Sequence, residues 1–316
     1  MNIHSSNLNI CQVSLKGNIS TIKENISQFK IFYPNFKLFI ICPKKEKKFF
    51  EQSIKYDRCK IINEEEIISK KKFINIANKY FKKNSYYDQI QNRLGWYYQQ
   101  ILKISFIIKF VKQRNEPMLM WDADTIILKK FQFFDYEKTI KYGTTLEYHR
   151  AYFHTNKKIL NILPKYFLAM TNQFIGLTPL ECNFLLKKLL KKQKNLTNLA
   201  ELISNIVISS VSLSHEKYNG SMFSEQELIG QSNLLYSYTK QKLIHGLRYG
   251  LNGRLNKLQK KISIIFGYHY VSYEYSHPNI QSKNMLKRTQ NWFTFFLILI
   301  NNSSNKFFRG LKHYLK

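Results

Sequence analysis

A chain of 316 residues is long enough to bury a substantial core, as one large α/β domain or as two small ones. Its formal net charge of +30 permits an anionic partner, such as a sugar nucleotide, a phospholipid surface, an anionic glycolipid or a nucleic acid. The four cysteines form no Cys-x-x-Cys pair, which excludes a zinc knuckle and a redox motif, and no apolar run reaches the ~18 residues that cross a bilayer.

The first part of the chain is predicted to alternate strands with helices. The predicted order is strand 9–15, a helix ending near residue 32, strand 36–42, helix 44–55 and strand 59–62. Thr21 and Glu24 have the spacing of a capping box, which predicts that the first helix begins there. This alternation is typical of the α/β class, with a mixed, mostly parallel sheet flanked by helices.

A strong amphipathic helix is predicted over residues 93–110, where apolar side chains recur every three or four positions. Gln100 and Lys103 lie on a polar strip beside that apolar face. If this helix packs on the following strand, an amide and an ammonium group lie near the end of the strand and can hold a nucleotide or its phosphates. The alternative is that both are ordinary solvent-facing residues.

Two carboxylates, Asp122 and Asp124, follow the apolar run at 118–121. Side chains two residues apart in a strand share a face, so both acids are predicted to converge on one cation. Hard oxygen ligands with room for water and phosphate suit Mg²⁺ or Mn²⁺. The alternative is that the two acids only cap a strand-to-loop turn.

The second part of the chain is more irregular. Predicted elements are a strand and turn over 170–179, helices over 181–194 and 199–213, a strand over 242–245 and a strand pair over 262–273. Ser224 has the position of an N-cap to Glu227, so the carboxylate of Glu225 would begin a helix. No repeat or flexible linker is found, which predicts one domain over 1–290, with halves at 1–130 and 131–290.

The tail at 291–316 mixes aromatic with cationic side chains, the composition of an interfacial membrane helix. The alternative is a terminal helix that docks on the core.

An Asp-x-Asp-Thr sequence after an apolar strand resembles two kinds of enzyme. The first is the haloacid-dehalogenase-like phosphotransferases, in which Asp122 would be the reacting carboxylate. That family also requires acids after a later strand, and the chain has no Asp after Asp135.

The second resemblance is to the GT-A-fold glycosyltransferases, in which such a motif follows the nucleotide-binding half. The sequences GWYYQQILK (95–103), DADT (122–125) and FSEQELIG (223–230) together are similar to a little-characterised family of bacterial predicted glycosyltransferases. The resemblance covers the chain to about residue 277. It implies a GT-A-like sheet, a nucleotide-sugar donor and an irregular acceptor half.

The resemblance also implies particular roles. Asp122 and Asp124 would bind Mn²⁺ or Mg²⁺ at the donor diphosphate, whose growing charge the metal neutralises. A histidine of the second half would complete the metal site, with His245 as first candidate and His269 and His277 as rivals. For an inverting reaction, Glu225 is the best candidate for the catalytic base, and Glu227 would orient its loop.

The sequence therefore predicts a metal-dependent glycosyltransferase of bacterial surface polysaccharide or lipooligosaccharide synthesis, acting on a glycan or glycolipid acceptor. Because no secretory signal is visible, we expect it in the cytoplasm, peripheral at the inner face of the membrane. A non-enzymatic nucleic-acid-binding protein is the remaining alternative, although no recognised nucleic-acid module is present.

Overall fold

The computed structural model describes residues 8–81, 87–135, 137–143, 149–161, 169–190, 198–212, 221–237, 241–250, 254–273, 295–296 and 298–299. Two predicted features, His277 and most of the tail at 291–316, lie outside these ranges.

The described chain alternates strands and helices in its first part and is more irregular later. The strands are β1 Asn9–Val13, β2 Lys37–Cys42, β3 Cys59–Asn63, β4 Met118–Trp121, β5 Thr125–Ile127, β6 Phe134–Asp135, β7 Lys138–Thr139, β8 Tyr142–Gly143, β9 Phe174–Leu177, β10 Lys242–Leu243, β11 Gly246–Arg248 and β12 Tyr270–Ser272. The helices are α1 Ile19–Phe32, α2 Lys47–Ser53, α3 Lys70–Phe81, α4 Tyr87–Gln91, α5 Leu94–Arg114, α6 Arg150–Leu160, α7 Pro179–Leu190, α8 Leu199–Ser212, α9 Glu225–Tyr236 and α10 Lys257–Ile265.

The central sheet has five strands in the order β3-β2-β1-β4-β9. The first four are parallel, and β9 pairs antiparallel with β4. Helices cover both faces, so the predicted α/β class with a mixed, mostly parallel sheet is confirmed. The chain runs outward from β1 to β3 and returns to β4 on the other side of β1, so the strand order reverses between β1 and β4.

Both faces of β4 are buried, which explains its uninterrupted apolar sequence. Met118 and Met120 belong to a cluster with α5, α7, α8 and α9. Leu119 and Trp121 point to the other face, where they join a cluster with Phe29 of α1. The strand is therefore fixed from both sides, and so is the position at which it ends.

A second sheet of three strands has the order β11-β12-β5, with β5 antiparallel to β12. It contributes to a third apolar cluster together with Phe295 and Leu299, which are fully buried there. These two tail residues dock on the core, which is the alternative that the sequence left open.

Three local predictions were wrong. The first helix begins at Ile19, so Thr21 lies inside it and forms no capping box with Glu24. Residues 262–273 are not a strand pair, because Asn256 and Gln259 form a capping box that starts α10, and only β12 follows. The strand predicted at 242–245 is limited to β10.

Among the helices that the structure describes, none is long and apolar enough to span a bilayer.

Candidate active site

Asp122 and Asp124 lie in the turn that connects the two main sheets. β4 ends at Trp121, the amide of Thr125 donates to the carbonyl oxygen of Asp122 at 3.1 Å, and β5 then begins in the second sheet. The indole N–H of Trp121 donates to the carbonyl oxygen of Thr125 at 2.8 Å, which stabilises this turn. The acids therefore do not share a strand face, and strand alternation was the wrong reason for placing them together.

This turn lies at the carboxyl end of β4, beside β1, where the strand order reverses. In open α/β sheets, ligands bind in the crevice outside the carboxyl ends of the strands at such a reversal. The fold thus places two carboxylates at the position where a ligand is expected.

Lys103 connects Asp122 to Glu225. Its ammonium nitrogen pairs with Oδ1 of Asp122 and lies 2.9 Å from Oε1 of Glu225. The side chains of Lys103 and Glu225 are 6% and 4% exposed, and that of Asp122 is 19% exposed. Lys103 of α5 thus forms ion pairs with one acid from the turn and one acid from α9.

Further hydrogen bonds fix this cluster. Gln226 donates from Nε2 to Oδ2 of Asp122 at 3.1 Å, so both carboxylate oxygens of Asp122 have partners. Gln100 accepts from the backbone amide of Glu225 at 3.0 Å, while its own buried Nε2 has no hydrogen-bond partner. Both residues are buried: Lys103 contacts Asp122 of the motif and Glu225, whereas Gln100 contacts the backbone of Glu225. Their predicted binding of a nucleotide stays a prediction.

The start of α9 agrees with its sequence prediction. Ser224 caps the helix by accepting from the amide of Glu227 at 3.3 Å. Glu227 is also buried, and its Oε1 accepts from the amide of Met170 at 2.7 Å. Glu227 thereby fixes the segment before β9, a contact that sequence spacing could not identify.

Burial and charge act in opposite directions on this cluster. Burial alone would lower the pKa of Lys103, but the facing carboxylates of Asp122 and Glu225 outweigh it and raise that pKa, so the ammonium form is stable. Burial raises the pKa of Glu225, with Lys103 lowering it and Asp122 raising it further. When all three groups are ionised, one cation is shared by two anions.

Asp124 has different surroundings from Asp122. Both acids are half-buried, but Oδ1 of Asp124 accepts from the hydroxyl of Thr125 at 3.2 Å, and its carbonyl oxygen accepts from the amide of Tyr273 at 2.9 Å. The motif thus contains one acid held on the buried lysine and a second acid at the edge of the second sheet.

The backbone of His245 lies beside the far end of β5. The carbonyl oxygen of His245 accepts from the amide of His269, whose own carbonyl accepts from Leu128 at the far end of β5. Leu128 is four residues beyond Asp124, which corresponds to roughly 13 Å along an extended chain. Burial lowers the pKa of His269 to about 4, with Lys129 and His245 adding to the effect.

Within the described ranges, no group of three His, Cys, Asp or Glu side chains could hold a metal ion. His277 lies outside these ranges. Tyr273, four residues before it, donates its amide to the carbonyl oxygen of Asp124.

These features define an α/β protein with a buried lysine–carboxylate cluster at the reversal point of its main sheet. Residues 18–225 match the family described as "Family of unknown function (DUF6492)", and the chain belongs to that family. The matched span contains Lys103 and both acids of the motif, and it ends at Glu225. No curated protein matches the chain.

The solved structures that are similar to this chain include two whose sequence identity and TM-score are low. Mouse xyloside xylosyltransferase 1 in its apo form is 10% identical, with a TM-score of 0.41, over 84% of this chain and 97% of that chain. The PaToxG glycosyltransferase is 12% identical, with a TM-score of 0.30, over 64% of this chain and 68% of that chain.

Proposed function

We propose that this protein is a GT-A-type glycosyltransferase that moves a sugar from a nucleotide-sugar donor to a glycan or glycolipid acceptor. The observation that carries the proposal is the position of Asp122 and Asp124. Both lie in the turn at the carboxyl end of β4, and the strand order of the sheet reverses between β1 and β4. A donor diphosphate bound in that crevice would face both acids.

The donor atoms at this turn fit Mg²⁺ or Mn²⁺. Mg²⁺ is usually held by one or two carboxylates together with substrate phosphates, and it does not need a cage of three protein ligands. Asp122 and Asp124 are both half-buried at this turn, so we propose that their carboxylates contribute the oxygen ligands. When bound, the metal would neutralise charge that develops on the leaving diphosphate.

Lys103 and Gln100 have positioning roles in this proposal. Lys103 is engaged with Asp122 and Glu225, and it could bind a phosphate only by leaving one of these acids unpaired in a buried site. Its contribution is to fix the turn that carries the motif. Gln100 fixes the start of α9 by accepting from the amide of Glu225.

Glu225 remains our candidate for the catalytic base. Burial raises its pKa, and a higher pKa makes the carboxylate a stronger base than an ordinary surface glutamate. Its side chain is 4% exposed. An acceptor hydroxyl would therefore have to displace the side chains that cover Glu225, or transfer its proton to Glu225 through one water. If a base is not needed, a retaining reaction is the better account.

A phosphotransferase that uses Asp122 as its nucleophile is disfavoured by the contacts of that side chain. A nucleophilic carboxylate needs a free oxygen directed at the substrate, whereas the two oxygens of Asp122 are taken up by Lys103 and Gln226.

The test is a thermal-shift screen of purified protein against nucleotide sugars, with and without Mn²⁺. A ligand that binds only the folded protein raises the melting temperature by mass action. We expect at least one donor to raise it in a Mn²⁺-dependent manner, with an oligonucleotide at moderate salt as the comparison. Stabilisation by the oligonucleotide and by no nucleotide sugar would favour the nucleic-acid-binding alternative.

A further inference from the structure

The helix α10 presents apolar side chains and lysines on its outward face. Leu258, Ile264 and Ile265 are 55%, 36% and 81% exposed, and Phe266 directly after the helix is 54% exposed. Lys257 and Lys261 are exposed on the same helix.

Helical spacing places these side chains together. The exposed positions 257, 258, 261, 264 and 265 are separated by one, three or four residues, so they form one face. Gln259 and Ser263 are buried on the opposite face, where α10 packs on the protein. The outward face therefore carries three large apolar side chains with two lysines between them.

The charged side chains of the segment that carries this face are cationic. Residues 254–273 contain no Asp or Glu. The nearby acid Glu24 of α1 is already paired with Arg254 at 3.0 Å and with Lys260. The lysines of the outward face thus have no acidic neighbour on their own helix.

We propose that this face, called here the α10 face and consisting of residues 257, 258, 261 and 264–266, binds an anionic membrane surface. Apolar side chains that enter the headgroup region and lysines that meet anionic lipid are the two contributions to interfacial binding. Long lysine side chains can extend their charge outward while their methylene stems stay beside apolar groups.

Two other occupants fit less well. A second copy of the chain would bring another net charge of +30 against this positive face, and the two would repel. The described part of the tail packs elsewhere, because Phe295 and Leu299 are buried against the third apolar cluster while Ile265 and Phe266 stay exposed.

The α10 face is connected to the candidate active site. The amide of Leu255, just before α10, donates to the hydroxyl of Tyr273 at 3.3 Å. The amide of Tyr273 in turn donates to the carbonyl oxygen of Asp124. A membrane bound at this face would lie beside the second sheet, on the part of the protein that carries Asp124.

The test is co-sedimentation of the full chain with vesicles of phosphatidylcholine and phosphatidylglycerol, compared with pure phosphatidylcholine. We expect binding to the anionic vesicles that weakens as salt is raised. Replacing Ile265→Ser together with Phe266→Ser should lower the partition coefficient at least about tenfold, since both apolar groups would be lost from the interface. Lys257→Glu with Lys261→Glu should lower it at least about 25-fold, at about fivefold for each lysine lost, because the added glutamates also repel anionic lipid.

Matched control variants distinguish the contribution of the α10 face to vesicle binding from the effects of net charge and of any exposed apolar side chain. Ile31→Ser removes a side chain that is 68% exposed on α1, and Lys48→Glu with Lys55→Glu makes the same change in net charge elsewhere. Both controls should bind within about twofold of wild type, and all variants should keep the wild-type far-ultraviolet circular dichroism spectrum.

Three outcomes would overturn the proposal. These are equal binding by the α10-face variants and wild type, no preference of wild type for anionic vesicles, and a dimer in sedimentation equilibrium that the α10-face variants dissociate.

Discussion

Replacing Lys103 with Met should strongly destabilise the protein. The substitution keeps an unbranched side chain of similar length and removes the only cation seen between Asp122 and Glu225 in the described structure. Because the lysine and Glu225 are almost completely buried, water cannot screen the carboxylates that remain. Removing one partner of a buried ion pair typically costs 3–5 kcal/mol, so the free energy of unfolding should fall by about that amount at neutral pH.

The pH dependence of this loss has a defined sign. Burial and Asp122 already raise the pKa of Glu225 above its ordinary value of 4.5, and without Lys103 its pKa rises further. A carboxyl group whose pKa is raised by folding favours the folded state below its unfolded pKa, and this contribution is lost as the pH rises through the folded pKa. The deficit of Lys103→Met should therefore be smaller near pH 5 than near pH 8.

Urea unfolding followed by circular dichroism measures both effects. Lys109→Met is the matched control, because Lys109 is an exposed lysine of the same helix and its loss should change stability by about 0.5 kcal/mol or less. Adding Glu225→Gln to Lys103→Met should recover part of the loss, since a neutral amide replaces the unpaired charge. Wild-type stability for Lys103→Met, or a deficit that is independent of pH, would refute the buried ion cluster.

The remaining predictions concern the proposed reaction and the packing of α9. Asp124→Asn should abolish Mn²⁺-dependent donor binding in isothermal titration while the melting temperature of the free protein changes little, and unchanged metal dependence would count against this ligand. Glu225→Gln should lower turnover by about 100-fold or more with donor affinity retained. If Glu225→Gln turns over normally and Glu227→Gln is inactive, Glu227 would be the catalytic base instead. Gly230→Ala should cost about 1–3 kcal/mol in urea unfolding, because an added Cβ would lie 2.7 Å from the nearest side-chain atom, whereas Gly95→Ala, with open space around it, should not destabilise.

Local sequence patterns were sufficient to predict much of the first half of the fold. The apolar runs at β1, β2 and β4 each lie in the buried sheet, and the helix predicted over 93–110 is the core of α5. The polar side chain of Ser224 caps α9 as its spacing predicts. These features depend on neighbours within about four positions, which sequence periodicity records directly.

The contacts of the candidate site depend on residues that are far apart in the chain. Lys103 and Glu225 are separated by 122 positions, and Gln226 and Asp122 by 104. Periodicity placed Lys103 on a polar strip of a helix, but it could not show that α9 covers that strip. The same limitation applies to His245, because the backbone beside it is positioned by the register of β11 against β12; its role as a metal ligand stays a prediction.

The two acids of the motif are not equivalent, and this difference follows from the turn that holds them. Asp122 directly follows the buried strand β4, and its carboxylate faces the lysine of α5 and the amide of Gln226. Asp124 is two residues nearer the second sheet, where its Oδ1 accepts a hydrogen bond from the hydroxyl of Thr125. We expect the buried cluster around Lys103 to limit the movement of this turn and so to help position Asp124.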